Sequence, residues 1–439
     1  MKDLLQNILA SYLHSPLSYS LGFVVLGLFT HRVLSWLFPA RNSESQISAG
    51  NNENGPLRDM VLPSRCLKWR VFNFRGKWHT SVSAIVDPPT FHDWKPVLVL
   101  ANRKSGSNQG SNILKQCSML LNQVQVHDLS SKPAAATLEL CELLPQTTFI
   151  VLVCGGDGSV NWVLTTIDEL NLTTQPLVSV LPLGTGNDLS NMLGYGASFD
   201  ESDTMENFLS QLRHTHPINI DRWKINIRYK KTYLGWGRQT KSIFMTNYFS
   251  IGCDALISLN FHNQRQKKPS LFTKRSLNKL FYFGYGAIDV LEQHCKDLNK
   301  YIELWLDDEK VDLPDLEGIL FLNISSWGGG CQIWDNWSDG DVQWDKSIPD
   351  DGRIEVMGLI SSFHMAQIQV NLAEPVRLGQ VKKASIIIKT RVPAQADGEP
   401  WEQDPCRIDI NFHKQATLLK REAAKNDEED GEVLQLETG

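Results

Sequence analysis

Between Pro96 and Pro182, short, wholly apolar runs alternate with stretches whose apolar residues recur every three or four positions. VLVLAN (Val97–Asn102), FIVLVC (Phe149–Cys154) and LVSVL (Leu177–Leu181) read as buried strands, with QVQVHDL as another between the first two. Between them, Ile113, Leu114, Cys117, Leu120 and Leu121 mark one face of a helix, and Ala134–Leu144 forms a second. Val160, Val163, Leu164 and Ile167 give the i, i+3, i+4, i+7 stripe of a third. This alternation predicts an α/β half built on a parallel, doubly wound sheet.

After about Ile218 the pattern changes. INIDRWKINI, IFMTNYFSIG, YIELWLD, GILFLNISS, RIEVMGLI, ASIIIKTRV and CRIDINF are short alternating runs separated by turn residues, which predicts a mostly antiparallel β-rich half. A helical pattern interrupts it at Leu280–Lys296, and Arg65–Val86 suggests one or two short strands. At the other end of the chain, Leu17–Phe38 is apolar enough to span ~30 Å of hydrocarbon, although His31 and Arg32 interrupt it. It reads as a membrane helix, an interfacial helix or a helix packed on the body. As an anchor, with Arg32 towards its end and Arg41 after it, it leaves the rest of the chain in the cytosol, at the endoplasmic reticulum or plasma membrane. The expected organisation is thus a membrane helix over 1–41, a tether with short strands over 42–94, an α/β catalytic domain over 95–217, a β-rich accessory domain over 218–420 and an acidic tail over 421–439.

Composition adds exclusions. A formal charge of -6 argues against general nucleic-acid binding. None of the 8 cysteines shares a C-x-x-C spacing, and several lie in apolar runs, which points to reduced, buried thiols with neither a disulfide frame nor a zinc site.

The candidate chemistry follows the strands. NRKSG (Asn102–Gly106), GGDGS (Gly155–Ser159) and PLGTGND (Pro182–Asp188) each leave the carboxyl end of a predicted strand, where ligands bind in open parallel sheets. Glycine lets backbone approach phosphate closely, and a following helix N-terminus offers free N–H groups. Gly155, Gly156, Gly158, Gly184 and Gly186 are the candidate cradle. Asn102, Ser105, Gly106, Ser159, Thr185 and Asn187 supply uncharged contacts. Asp157 is placed to orient Mg²⁺ or a substrate hydroxyl, and Asp188 either caps its helix or bonds ribose. Val160 and Asn161 stand where a Walker loop needs lysine and hydroxyl, so this is a different phosphate loop.

In the second half, QADGEPW (Gln395–Trp401) reads as a hairpin on an Asp-Gly turn. Glu399, which the turn does not require, is a candidate general base. NISSWGGGCQIW (Asn323–Trp334) is a candidate acceptor loop, and Asp350 and Asp351 are turn formers or ligands of a hard cation. The acid-free basic run Arg265–Lys279 is either a solvated loop or a contact for anionic lipid headgroups.

Together GGDGSVNWVL, VLPLGTGNDLS, NISSWGGGCQIW, DDGRIEVMGL and ADGEPWEQ resemble the eukaryotic diacylglycerol kinases, over roughly 97–412. With its hydrophobic N-terminus the chain is most similar to the epsilon type. The resemblance implies transfer of the ATP γ-phosphoryl group to the free hydroxyl of diacylglycerol, giving phosphatidic acid. It also implies a phosphofructokinase-like α/β half and a β-rich half, with ATP and Mg²⁺ between them. Asp157 and Glu399 then become the catalytic candidates, and Asp157 and Asp351 the metal ligands. The cysteine spacing leaves no place for the zinc modules such enzymes usually carry. Sphingosine and ceramide kinases share the glycine loops, and a lipid-binding pseudokinase is the non-enzymatic alternative.

Overall fold

The computed structural model describes residues 55–74, 77–200, 202–229, 240–267, 295–335 and 344–422. Leu17–Phe38, most of the basic run Arg265–Lys279, nearly all of the helix expected at Leu280–Lys296 and the acidic tail lie outside them. Among the described residues no helix is long and apolar enough to cross a membrane.

The expected strands at 65–86 form an antiparallel hairpin, Leu67–Phe74 with Lys77–Ile85, irregular at Lys68/Trp69. It makes a small unit of its own with its flanking residues.

The larger unit contains both halves. Val97–Ala101, Ile150–Gly155 and Leu177–Pro182 are parallel neighbours, with Val126–Asp128 on the outer edge. Their runs are apolar because helices cover a parallel sheet on its faces. The first and third helices form at Gln109–Leu120 and Asp157–Leu170. The second is shorter than expected: Ala135–Leu138 is helical and passes into a 3₁₀ turn at Glu139–Leu143.

The β-rich half contributes to the same sheet. Cys406–Arg421 pairs in parallel with the first half through Leu418 and Val178, and antiparallel with Thr215–Tyr229 and Lys383–Ile388. Beyond these lie Ile302–Leu306, Glu309–Val311 and Lys241–Met245, making ten strands. Thr215–Tyr229 straddles the expected boundary at 217/218.

A second, six-stranded antiparallel sheet runs Val376–Val381, Ile354–Leu359, Gly318–Leu322, Tyr248–Gly252, Val392–Ala396, Glu399–Gln403. Trp223, Ile225, Ile408 and Ile410 from the large sheet meet Phe249, Ile251, Ile319 and Phe321 from the smaller one in a shared core. All eight cysteines are free and all but Cys331 are buried. A helix at Cys253–Lys267 was not legible in the sequence, because its buried side includes Asp254 and Ser258 beside Ile257 and Phe261, and no apolar stripe marks it.

Candidate functional site

The three glycine-bearing loops leave three adjacent strands. Ala101 pairs with Cys154 and Gly155 with Pro182, so the loops emerge side by side. Two of them touch through their backbones. A Cβ on Gly184 would stand 2.6 Å from the Gly156 Cα, and one on Gly156 would stand 3.0 Å from the Gly184 Cα. Neither needs a positive φ; what forbids a side chain is the close approach. Gly155 is crowded in the same way, since its Cβ would lie 2.6 Å from Ser159 Cβ and 4.0 Å from Ser105 Oγ. Gly156 caps the long Asp157–Leu170 helix in an extended conformation with no side-chain cap; the N–H groups of Ser159 and Val160 donate to Gly156 O, which leaves those of Asp157 and Gly158 to face an anion.

The carboxylates divide the remaining work. Asp157 accepts from the backbone N–H groups of Asp188 (3.1 Å) and Leu189 (3.2 Å). The N–H of Asn187 and the side-chain amide of Asn247 also point at it. Asp157 therefore sits on the N-terminus of the short Asp188–Met192 helix and ties one glycine loop to the other. Asp188 continues the chain of contacts: its Oδ1 accepts from Ser326 Oγ (3.1 Å), Gly329 N (2.9 Å) and Gly330 N (3.0 Å). It neither caps its own helix nor stands free for ribose. Burial raises the pKa of both, and the neighbouring Asp157 charge adds to the effect at Asp188, which is pushed up to about 7.

Asp397 and Gly398 adopt φ values of 48° and 80°, the left-handed pair that a two-residue hairpin between Ala396 and Glu399 requires. Asp397 is only 2% exposed, and it takes the N–H groups of Thr246 (2.9 Å), Asn247 (2.8 Å) and Tyr248 (3.1 Å). Burial pushes its carboxyl up to about 7. Gln395 accepts the Gly398 N–H at 2.8 Å and donates to buried Asp254 at 2.8 Å. A tip held this firmly delivers Glu399 to the glycine loop: its Oε1 would lie 2.5 Å from a Cβ on Gly158. Glu399 is exposed, and no hydrogen bond or ion pair engages its carboxylate among the described residues.

Other expected residues find different work. The Asn187 side chain is spent on its own loop, accepting Gly184 N–H at 2.9 Å and donating to Gly184 O and Ala197 O. Asn102 Oδ1 accepts Lys104 N–H, Ser105 opens a 3₁₀ turn and Gly106 takes a φ of +59°. Thr185 and Gly186 are half-buried between Gly184 and Asn187. Asp351 lies in the turn before Ile354–Leu359, where it accepts Arg353 N–H and adds its charge to that of Asp350 beside Asp221. The two expected metal ligands are thus engaged apart, Asp157 by four N–H donors and Asp351 by its own turn. Among the described residues no group of three His, Cys, Asp or Glu is arranged to hold a metal ion.

Several residues that the sequence did not single out complete the site. Asn161 bonds Phe244 O (2.8 Å), Arg222 (2.9 Å) and Thr246 Oγ1 (3.2 Å), joining the GGDG helix to the second half. Arg222, fully buried, also pairs with Asp168 on that helix. Gly110 lets its helix pack on the Asn102 carbonyl, where a Cβ would come within 2.1 Å. Asn247 Oδ1 is buried without a hydrogen-bond partner among the described residues. The polar letters inside an apolar strand run (MTNYFSIG) were the available signal for Thr246 and Asn247.

Residues 96–222 match the family described as "Diacylglycerol kinase catalytic domain", and residues 244–400 match "Diacylglycerol kinase accessory domain". The chain belongs to the diacylglycerol kinase family. "Diacylglycerol kinase 2" of Arabidopsis thaliana is 38% identical to this family member over 381 residues, covering 86% of this chain and 52% of the relative. "Diacylglycerol kinase theta" of Homo sapiens is 36% identical over 343 residues, covering 75% and 36%. The chain spans about half the length, or less, of the curated relatives it matches. A solved structure described as a diacylglycerol kinase from Bacillus anthracis str. Sterne is 17% identical with a TM-score of 0.48, covering 76% of this chain and 99% of its own.

Proposed function

We propose that this chain is a lipid kinase that transfers the γ-phosphoryl group of ATP to the free hydroxyl of 1,2-diacylglycerol, giving phosphatidic acid. The observation that carries the proposal is the position of Glu399: an unengaged carboxylate held by a rigid hairpin against a glycine turn at a helix N-terminus. The glycine backbone and the free N–H groups of the Asp157–Leu170 helix receive the triphosphate. Asp157 and Asp188 hold the two glycine loops and the Ser326–Gly330 loop in fixed relation, so they act by positioning. Glu399 takes the proton of the acceptor hydroxyl as it attacks.

Mg²⁺ bound with ATP usually keeps much of its coordination in water and phosphate oxygens and needs only one or two protein oxygens. Asn247 Oδ1, buried and without a hydrogen-bond partner among the described residues, is a hard oxygen donor that would suit such a cation, which leaves Glu399 for the proton. When bound with ATP, Mg²⁺ would supply neutralisation of charge on the phosphoryl oxygens.

The test is phosphorylation of diacylglycerol, ceramide and sphingosine in mixed micelles with labelled ATP. Diacylglycerol should be the substrate; label in either other lipid in preference to it refutes the proposal. We further propose that Leu17–Phe38 anchors the enzyme at the endoplasmic reticulum or plasma membrane with the catalytic part in the cytosol. Release of the full chain by alkaline carbonate would count against that.

A further inference from the structure

One surface of the second half is apolar without a covering partner. Between Ile360 and Ala373 the chain has no acidic residue, and four large apolar side chains face solvent: Ile360 at 50%, Phe363 at 60%, Val370 at 59% and Leu372 at 75% exposure. Phe363 and Val370 are seven residues apart and so fall on one side of the Ser362–Gln369 helix, with Ile360 and Leu372 just beyond its two ends; exposed apolar groups gathered this way mark an interaction surface. The segment is well anchored beneath. Met365 and Ile368 of the Ser362–Gln369 helix are buried in a core with Trp327, Trp334 and Met357, and the Ser361 hydroxyl caps the helix by accepting His364 N–H at 3.0 Å. The exposure therefore belongs to a helix that is itself fixed.

Its position and its charged neighbour indicate what it meets. The far end of the helix abuts the acceptor loop: Gln369 stands where a Cβ on Gly328 would fall, and Cys331 Sγ lies 3.8 Å from Ile368 O. That loop is the one whose Gly329 and Gly330 bind Asp188. The Cys253–Lys267 helix packs on the same helix, and its exposed last turn carries Arg265 and Lys267. An exposed apolar surface on a helix packed against one that ends in cationic side chains matches an anionic bilayer, with acyl chains for the one and headgroups for the other.

We infer that Ile360, Phe363, Val370 and Leu372 dip into the surface of an anionic lipid bilayer, setting the acceptor loop at the depth of the lipid hydroxyl. The inference rests on the proposed diacylglycerol activity only for the last part, so its primary test omits catalysis.

Hydrogen exchange of the full chain is followed with and without phosphatidylcholine/phosphatidylserine vesicles free of diacylglycerol and ATP. Peptides covering 360–373 should exchange more slowly with vesicles, and less so at high salt or with phosphatidylcholine alone. A Phe363→Ser/Leu372→Ser chain should lose that protection even while Leu17–Phe38 holds it on the vesicle. In assays, the double variant should lose about tenfold in kcat/KM on long-chain diacylglycerol in vesicles. It should keep its rate on a short-chain, water-dispersed diacylglycerol. Unchanged exchange at 360–373 overturns the inference, as does slowing that tracks protein concentration without lipid, the mark of a second copy. A wild-type chain inactive on every diacylglycerol sinks the proposed activity and leaves the exchange result to decide the surface.

Discussion

Replacing Gly184 by Ala separates a packing requirement from a general preference for glycine. The new methyl would stand 2.6 Å from the Gly156 Cα and 2.6 Å from Asn187 Oδ1. Carbon atoms settle at about 3.5–4.0 Å, so the shortfall is close to 1 Å on the Gly156 side. Rotation of a side chain cannot relieve it, because the opposing atom is backbone. The two glycine loops must part, and overpacking of this kind costs about 1–3 kcal/mol. That should lower the melting temperature by roughly 2–10 °C. A phosphate cradle displaced by about 1 Å should lose on the order of 100-fold in rate. The internal comparison is Gly186, two residues on, where a Cβ meets nothing closer than 3.4 Å and φ is not positive. Gly186→Ala should melt like wild type. Thermal melting and kcat/KM for ATP in diacylglycerol micelles decide the matter. A Gly184→Ala protein with wild-type values of both would show that the loops do not depend on this contact.

Glu399→Gln should lower kcat by about 10²–10⁴ while leaving the melting temperature within about 1 °C, since the side chain is exposed and unpartnered; loss of both together would make it a structural residue. Arg222→Met should destabilise by about 3 kcal/mol, measured by urea unfolding, because it strips a buried partner from Asp168 and from Asn161 Oδ1. Stability should also depend on pH with an uncommon sign. Asp188, Glu355 and Asp397 are each raised by burial to about 7, so the folded state holds protons that the unfolded chain releases near pH 4. Their contribution is fully present below that and is lost as pH rises through about 7, at up to about 1.4 kcal/mol per pH unit for each group. Melting temperatures from pH 5 to 8 should therefore fall, and Asp397→Asn should flatten the slope; a rising curve would show these carboxyls to be ordinary.

The α/β half was legible because its signals are local. VLVLAN, FIVLVC and LVSVL are strands on apolar content alone, and the Asp397–Gly398 turn follows from the only residues that adopt two left-handed conformations cheaply. Glu399 could be singled out because nothing in the turn calls for it. What the sequence hid was mutual. Asp157 and Asp188 look like free ligands until the N–H groups that occupy them come from Leu189, Gly329 and Gly330, the latter two over a hundred positions away in the chain. The Cys253–Lys267 helix escaped notice because its buried face contains Asp254, whose partners Ser250 and Gln395 sit on strands of the other sheet. Asn187, which reads as a ligand, is used up in closing its own loop.

The strand Cys406–Arg421 gives the molecule a timetable. It is hydrogen-bonded to strands from both halves, so neither sheet edge that it covers is closed until it is available. On a ribosome delivering roughly 5–20 residues per second, the edge at Leu177–Pro182 waits on the order of ten to fifty seconds for its neighbour. Throughout that interval an apolar parallel sheet stands open on one side, an invitation to pair with the wrong chain. The catalytic half is thus not an independent folding unit despite its self-contained motifs. A fragment ending near residue 222 would carry every glycine loop of the candidate site and still lack the strand that lets the sheet close.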